Sequence, residues 1–313
     1  MADIYDGAFR TIVNDCKQFI LPFINEVFGE HYDGSERIEF HPNEHFIDQQ
    51  DKPDIKRITD TNLAVFGKQI KKYHLECESS IYGRKILIRL FEYAAQIALD
   101  ESETGHDTIK VVFPHTSVLY LRNTTNTPDK MRVSIEVPGD KAEYDIPVVK
   151  IATYSIDDIF DKKLYILLPF YIFNYESGFD EYNNDEGKLS NLKAEYQRII
   201  DKLNILVSDG EMSGYDRRTI IELSNDVIQE LTKKYENLQK EVGGLMRGEM
   251  IITDVHRARE EGREEGRAEG EARGRTEGRI KAYIELLKDG LISIADAAKN
   301  LCMSEDEIKK LMT

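Results

Sequence analysis

The sequence predicts an α/β domain with a mixed sheet, followed by an all-helical C-terminal region. The first observation is the order of predicted elements in residues 1–175, which runs helix, three strands, helix, strand and is typical of this fold class. The second is the helical spacing of apolar residues beyond residue 188. The third is the composition, since 41% hydrophobic residues in a chain of 313 are enough for one sizeable core and a smaller second part.

The first predicted helix covers residues 8–29. Its apolar side chains recur at helical spacing, namely Phe9, Ile12, Val13, Cys16, Phe19 and Ile20. We expect Pro22 to kink this helix, because proline lacks the N–H that a helix interior uses, and we expect Gly29 to end it. A short strand follows at residues 36–40.

Two longer strands are predicted to form a hairpin. They cover residues 56–66 and 70–79, and residues 67–69 form the turn between them. A loop of three residues pairs Phe66 with Ile70, and this pairing defines the register of the whole hairpin.

A second helix and three further strands complete the predicted domain. The helix covers residues 82–100, where apolar residues again share one face. The strands are predicted at 108–121, where Pro114 breaks the run, at 131–137 and at 143–150. The apolar stretch 164–173 is too short to span a bilayer, so it is interpreted as buried core and no membrane contact is expected.

The chain beyond residue 175 divides by composition into four parts. They are an acidic linker at 176–187, a helical pair at 188–248, a long helix rich in Gly, Glu and Arg at 249–289, and a small helical hairpin at 290–313. Ser304 and Glu307 fit a capping box in the last part. Glycines at every fourth position of the long helix indicate either a helix interface of a homo-oligomer or a flexible charged spacer.

Charge and cysteine content restrict the class of protein. The net charge of −16 argues against a general nucleic-acid-binding surface, so contact with DNA requires a local basic patch or a metal ion. The three cysteines are far apart and form no CxxC pair, which predicts neither a zinc site nor a disulfide framework. The N-terminus MADIYDGAFR has no signal-peptide pattern, so a cytoplasmic protein is expected.

The predicted hairpin gathers three acids. Counting back from the turn places Asp60 opposite Glu76, and strand alternation places Glu78 and His74 on the same face as Glu76. Directly opposed side chains have Cβ atoms about 5 Å apart, so these carboxylates repel one another without a cation. Mg²⁺ or Mn²⁺ would offset the repulsion and support displacement at phosphorus. The alternative is a solvent-facing strand whose acids have no function.

Basic residues flank the acids and indicate a second property of the hairpin. They are Lys68, Lys71, Lys72, Arg84, Lys85 and Arg89. Together they are expected to position a phosphate backbone, whereas each one alone is also explained by surface solubility. His74 is expected either to contact a phosphate or to be a half-exposed strand residue.

Several stretches, in their order along the chain, resemble the PD-(D/E)XK nuclease superfamily. More closely, they are similar to its recombination-promoting nuclease (Rpn) group, whose members are also described as transposase-like. The stretches include YDGAFRTIV, HPNEHFIDQQ, KRITDTNLAVFGKQIKKYHLECESS, RLFEYAAQIALD, VVFPHTSVLYLRNTTNTPDKM and LPFYIFNYE. The resemblance implies a restriction-endonuclease-like αβββαβ core with the active site on the central hairpin.

The resemblance also implies roles for individual residues. Asp60, Glu76 and the backbone carbonyl of Cys77 would bind Mg²⁺, and Glu78 occupies the catalytic position that is usually Lys in the superfamily and often Gln in this group. Glu26 matches an auxiliary catalytic acid, with a solvated residue near a helix end as the alternative. The expected nucleic-acid contacts are Lys72, His74, Arg84, Arg89, Tyr93 and Gln96. Core packing is the alternative for Tyr93, and a plain surface position is the alternative for Gln96.

Three functions remain open at this point. The first is a Mg²⁺-dependent endonuclease that hydrolyses phosphodiester bonds of DNA, in the setting of recombination or mobile elements that the resemblance implies. The second is a nuclease-like protein that has lost catalysis and binds DNA or protein through its helical tail, which Glu78 and the acidic balance favour. The third is a structural oligomer built on residues 188–313.

Overall fold

The computed structural model describes most of the chain up to residue 250 and a few residues beyond it. The described residues are 4–41, 44–47, 55–58, 60–83, 85–250, 284, 286–287, 292–301, 303–304 and 307–308, with the backbone alone at 44–47, 55–58 and 299. By its internal contacts the chain forms two compact units, Met1–Met250 and Ile251–Thr313.

The described elements include nine helices and ten strands, and residues 284, 286–287 and 307–308 are also helical. In chain order the helices are α1 (Ile4–Asp15), α2 (Ile20–Phe28), α3 (Lys85–Asp100), α4 (Ile156–Asp161), α5 (Phe179–Asn184), α6 (Glu186–Ser208), α7 (Gly214–Leu231), α8 (236–250) and α9 (Ile294–Leu301). The strands are β1 (Arg37–Phe40), β2 (Glu44–Ile47), β3 (Ile55–Ile58), β4 (Thr61–Phe66), β5 (Ile70–Glu78), β6 (Glu103–Thr104), β7 (Ile109–Lys110), β8 (His115–Tyr120), β9 (Lys130–Val137) and β10 (Asp140–Lys150). Short 3-10 segments cover Lys17–Phe19, Ile151–Thr153 and Tyr165–Gly178.

The main sheet has six strands in the order β1-β4-β5-β8-β10-β9. The pairs β1/β4, β4/β5 and β9/β10 are antiparallel, whereas β5/β8 and β8/β10 are parallel. The sheet is therefore mixed, as predicted, because α3 forms the crossover that returns the chain from β5 to the parallel strand β8. β2/β3 and β6/β7 form two small separate sheets.

Different parts of the chain cover the two faces of this sheet. Tyr73, Leu75 and Cys77 of β5 point into a large core that α1, α2, α6, α7 and the 3-10 segment Tyr165–Gly178 complete. α3 packs on the other face, where Leu90 joins a smaller apolar cluster. The residues of β5 that alternate with the core residues consequently lie on the side of α3.

Two separate helices, α1 and α2, take the place of the single helix predicted over residues 8–29. The α-helical run ends before Cys16, whose backbone has φ −113° and ψ 54°, and not at Pro22. Pro22 lies in the first turn of α2, where a missing N–H costs nothing. Gly29 ends α2 with a left-handed φ of 66°, as predicted.

The strand predicted over residues 56–66 is divided in the structure. Its first part is β3, which pairs with β2, and its last part is β4, which lies in the main sheet. Asp60 forms a bend before β4, and its N–H donates to the Glu76 side chain. The predicted register of the hairpin is confirmed, since Phe66 pairs with Ile70.

The segment predicted as an acidic linker, residues 176–187, is largely helical. The 3-10 segment runs to Gly178, α5 follows directly, and Phe179 is 1% exposed with its ring 5.3 Å from that of Tyr235. Asp185 caps α6 by accepting hydrogen bonds from the N–H groups of Gly187 and Lys188. Four of the five acids of this segment, all except Glu176, therefore lie at the N-terminal ends of two helices, where the helix dipole favours negative charge.

The second unit is a small helical cluster in its described part. Ile284, Leu287, Ala297 and Ile308 form its apolar contact. The predicted capping box is present, because the N–H of Ser304 donates to Glu307 at 2.8 Å and the N–H of Glu307 donates to Ser304 Oγ at 3.3 Å. The long helix predicted over 249–289 lies mostly outside the described residues. In the described chain, every helix is too short or too polar to cross a membrane.

Candidate functional site

The β4–β5 hairpin brings Asp60 and Glu76 together at its open end. The ladder runs from the turn to the pair Thr61 and Leu75, and Asp60 and Glu76 come next. The N–H of Asp60 donates to Glu76 Oε1 at 3.0 Å, and the N–H of Cys77 donates to Asp60 Oδ2 at 2.9 Å. The backbone of each strand thus orients the acid of the other strand.

Both acids are removed from solvent. Asp60 is 6% exposed and Glu76 is 4% exposed. Burial, followed by the nearby charge of Glu76, raises the pKa of Asp60 from 3.8 to about 8, and the Cys77 N–H opposes this shift only in part. Near neutral pH the pair therefore holds a proton, unless a cation takes its place.

α1 adds two charged residues that the sequence analysis did not select. Arg10 Nε lies 3.7 Å from Asp60 Oδ1, and the charge of Asp6 further raises the pKa of Asp60. The two residues are four apart on α1, so they lie on the same side of the helix. The available signal was their occurrence in YDGAFRTIV, one of the stretches that carry the family resemblance.

His74 lies beneath Glu76 and is fully buried. Its Nε2 is 3.0 Å from Glu76 Oε1, its Nδ1 is 3.4 Å from Thr116 Oγ1, and its ring meets Tyr93 edge-on at 6.0 Å. This placement differs from both predictions for His74, a phosphate contact and a half-exposed strand residue. The imidazole instead orients the Glu76 carboxylate.

Glu78 shares the face of Glu76, as predicted, but it has partners of its own. Glu78 Oε2 accepts a hydrogen bond from Arg89 Nη2 at 2.6 Å, and Oε1 accepts one from the N–H of Ser80 at 2.9 Å. The charge of this buried acid is thus offset by a cation from α3. Arg89 is eleven positions after Glu78 in the sequence, and the packing of α3 on the sheet brings the two side chains together.

The other predicted acid, Glu26, has a different environment. It accepts hydrogen bonds from Lys162 Nζ at 2.6 Å and from the Tyr154 hydroxyl at 3.3 Å. Its two partners come from the region that follows β10. The Glu26 side chain is 28% exposed, so part of it faces solvent. Its described polar contacts therefore join α2 to the α4 region.

Several predicted nucleic-acid contacts are engaged within the chain. Lys72 forms an ion pair with Glu101, and Gln96 Nε2 donates to Asp100 at 2.7 Å on the exposed side of α3. Arg84 lies outside the described residues. Arg89 and Tyr93 remain beside the acids, and both line a cavity of about 850 Å³ that begins at Glu78.

Asp60 and Glu76 fit a hard divalent cation in number and kind. Mg²⁺ in proteins takes one or two carboxylates and completes its shell with water and substrate phosphate. Both described hydrogen bonds of Glu76 end on Oε1, so Oε2 is the oxygen that remains for an ion. Among the described residues, no group of three or more His, Cys, Asp and Glu side chains is arranged to hold a metal. The fit therefore rests on two acids, and Glu78 is not a third ligand in this arrangement.

We compared the chain with models of protein families, with curated proteins and with solved structures. None of them matches. The family resemblance therefore remains a prediction from the sequence stretches.

The Cys77 side chain takes no part in the site. It is 3% exposed in the large core, and burial, followed by the charge of Asp60, raises the pKa of its thiol well above the usual value. A metal-binding thiolate is therefore unfavourable here. The Cys77 backbone is the part of the residue that lies beside Asp60, and its carbonyl stays a predicted ligand.

Proposed function

We propose that this chain is a Mg²⁺- or Mn²⁺-dependent DNA endonuclease that hydrolyses phosphodiester bonds, with Asp60 and Glu76 as the acids that hold the ion. The observation that carries the proposal is the buried pair of carboxylates at the open end of the β4–β5 hairpin. Two buried acids this close are unfavourable unless a proton or a cation separates their charges. A bound divalent ion would supply Lewis acidity for the hydrolysis of the phosphodiester.

The residues around the pair have roles that follow from their contacts. His74 and the Asp60 N–H hold Glu76 Oε1, and the Cys77 N–H holds Asp60 Oδ2, so both acids are oriented before an ion binds. Arg89 neutralises Glu78, so this third acid adds no net negative charge beside the pair. The neutralisation would reduce the repulsion of an anionic strand.

The order of the elements supports the same proposal. Within the six-stranded sheet, α1 and α2 precede β1, β4 and β5, and α3 and the parallel strand β8 follow, although β2, β3, β6 and β7 of the two small sheets interrupt this order. The resemblance implies an αβββαβ order, so this sequence of elements supports the proposal. The sequence alone supports three further parts of the proposal. They are DNA as the substrate, a setting in recombination or mobile elements, and a cytoplasmic location.

The test is cleavage of supercoiled and linear DNA with Mg²⁺, Mn²⁺ or EDTA. We expect nicking and linearisation by the full chain with either ion, and no cleavage by Asp60→Asn or Glu76→Gln. Asp107→Asn is the matched control, because its side chain is 85% exposed and distant from the hairpin acids in sequence. Equal cleavage by the Asp60, Glu76 and Asp107 variants would overturn the proposal.

A second candidate function is a nuclease-like scaffold that binds DNA or protein without cleaving. The observation that favours it is the Glu78–Arg89 contact, because the position where the superfamily has Lys carries an acid whose charge is already paired. This candidate predicts that neither the unchanged chain nor any of the variants cleaves DNA with Mg²⁺ or Mn²⁺, and that the chain binds DNA or protein through its helical tail. Assembly through the C-terminal helices, which lie partly outside the described residues, remains a prediction from the sequence.

A further inference from the structure

A groove lies between the end of β5 and the first turns of α3. Its lining includes Glu78 of β5, Ile81 in the loop after β5, and Ile88 and Arg89 of α3. Its volume of about 850 Å³ lies within the usual range of small-molecule sites, which is about 300–1,000 Å³. Glu78 and Glu76 are two residues apart on one face of β5, about 7 Å along the strand.

The walls of the groove combine apolar surface with unused hydrogen-bonding groups. Ile81 and Ile88 are both 62% exposed, although isoleucine is usually buried. Tyr120 is fully buried at the base of the groove, and its hydroxyl has no hydrogen-bond partner in the described part of the chain. The same holds for Arg89 Nε. A buried polar group without a partner costs free energy, and a ligand that bonds to it removes this cost.

The charges around the groove select the class of ligand. Lys85 and Arg89 lie one helical turn apart and both line the groove. The Lys85 ammonium and the Arg89 Nε–H, which has no described partner, would meet a phosphate, and the Glu92 carboxylate in the same lining would accept further hydrogen bonds from the amino groups of a base. A nucleotide fits this lining, because its base is a flat apolar body with polar edges and its phosphate is an anion.

We infer that this groove binds one unpaired nucleotide of a DNA strand, next to the phosphate held at Asp60 and Glu76. The inference rests on the proposed nuclease function for the position of that phosphate. A base within a duplex is stacked and paired, so it enters an apolar groove only when it is unpaired or turned out of the helix. The substrates favoured by this site are therefore single strands, overhangs and frayed ends.

The test measures binding, so that it does not depend on cleavage. A fluorescent single-stranded oligonucleotide and its blunt duplex are titrated with the full chain in EDTA and in Ca²⁺, and anisotropy is recorded. We expect tighter binding of the single strand, and we expect Ile88→Glu to weaken it about tenfold, the usual effect of losing one base contact. Ile205→Glu is the matched control. Ile205 is 58% exposed on α6 and lies outside the groove, so the substitution adds the same charge away from the proposed site.

A second variant addresses the base of the groove. Tyr120→Phe removes a hydroxyl without a described partner, so the melting temperature should not fall, while affinity for the single strand should fall severalfold. Equal binding of single strand and duplex, or equal effects of Ile88→Glu and Ile205→Glu, would overturn the inference. Loss of cleavage in the Asp60 variant with no effect of Ile88→Glu would reject the groove and keep the nuclease. Tighter binding of the single strand without any cleavage would keep the groove and reject the nuclease.

Discussion

The N–H of Asp60 donates a hydrogen bond to Oε1 of Glu76 at 3.0 Å, which ties the chain entering β4 to an acid near the end of the neighbouring strand. The bond holds two buried carboxylates side by side without adding any positive charge. The electrostatics of the site therefore depend on protons, on Arg10 and on any bound cation.

The raised pKa of Asp60 predicts that stability falls as pH rises. The unfolded chain releases this proton near pH 3.8, whereas the folded chain keeps it until about pH 8. Between these values the folded state binds more protons, so the free energy of unfolding should decrease by up to about 1.4 kcal/mol per pH unit. Asp60→Asn removes the effect. In urea unfolding without metal, the free energy of unfolding of Asp60→Asn should therefore exceed that of the unchanged chain by an amount that increases from pH 4 to pH 9. A difference that stays constant with pH would contradict this prediction.

A divalent ion should stabilise the protein through the same two acids. Mn²⁺ at a hundred times its Kd should add about 2.7 kcal/mol to the free energy of unfolding, because it binds the folded state. The ion should also lower the pKa of Asp60 and reduce the pH dependence described above. Thermal unfolding with and without Mn²⁺ measures the effect. Glu76→Gln should abolish it and Asp107→Asn should retain it, so a shift of equal size in both would rule out this site.

His74 is predicted to act as a positioning residue for Glu76. His74→Phe removes the hydrogen bond to Oε1 while filling a similar volume, and it should weaken Mn²⁺ binding about 10–100-fold. His74→Gln places an amide N–H where Nε2 lies and should restore much of the affinity. Isothermal titration with Mn²⁺ gives both values. If His74→Gln binds Mn²⁺ as weakly as His74→Phe, the effect of the histidine is one of packing.

Arg89 and Glu78 should stabilise the fold only as a pair. Arg89→Met leaves the Glu78 carboxylate, whose side chain is 11% exposed, without its cation and should lower stability by about 1–2 kcal/mol. Glu78→Gln in the same chain should recover most of this loss. A double-mutant cycle by urea unfolding measures the coupling free energy, and additive effects would show that the contact contributes nothing.

The helical structure of residues 176–187 can be tested by truncating its buried ring. Phe179→Ala should lower the free energy of unfolding by about 3–4 kcal/mol, because it leaves a cavity against Tyr235. Asp180→Ala is the control on the same helix, since Asp180 is exposed. Equal, small effects of both changes would be the result expected of a solvated linker.

Local sequence patterns predicted much of the fold and the pairing of the two central acids. Alternation along β5 and the length of the turn determine the register, because a slip of one residue would move Leu75 out of the core. That constraint is local, so Asp60 could be placed beside Glu76 by counting residues. The break at Pro114 and the end of α2 at Gly29 follow from equally local chemistry.

Contacts between distant segments decided the rest. The sequence by itself determined which acids share the hairpin, but only the tertiary structure brought Arg10 to Asp60, Arg89 to Glu78 and Lys162 to Glu26. Composition alone also could not distinguish a linker from capped helices at residues 176–187. Strand register depends on neighbouring residues and their pleat, whereas the partner of a charge depends on how separate helices pack, and no short pattern encodes that packing.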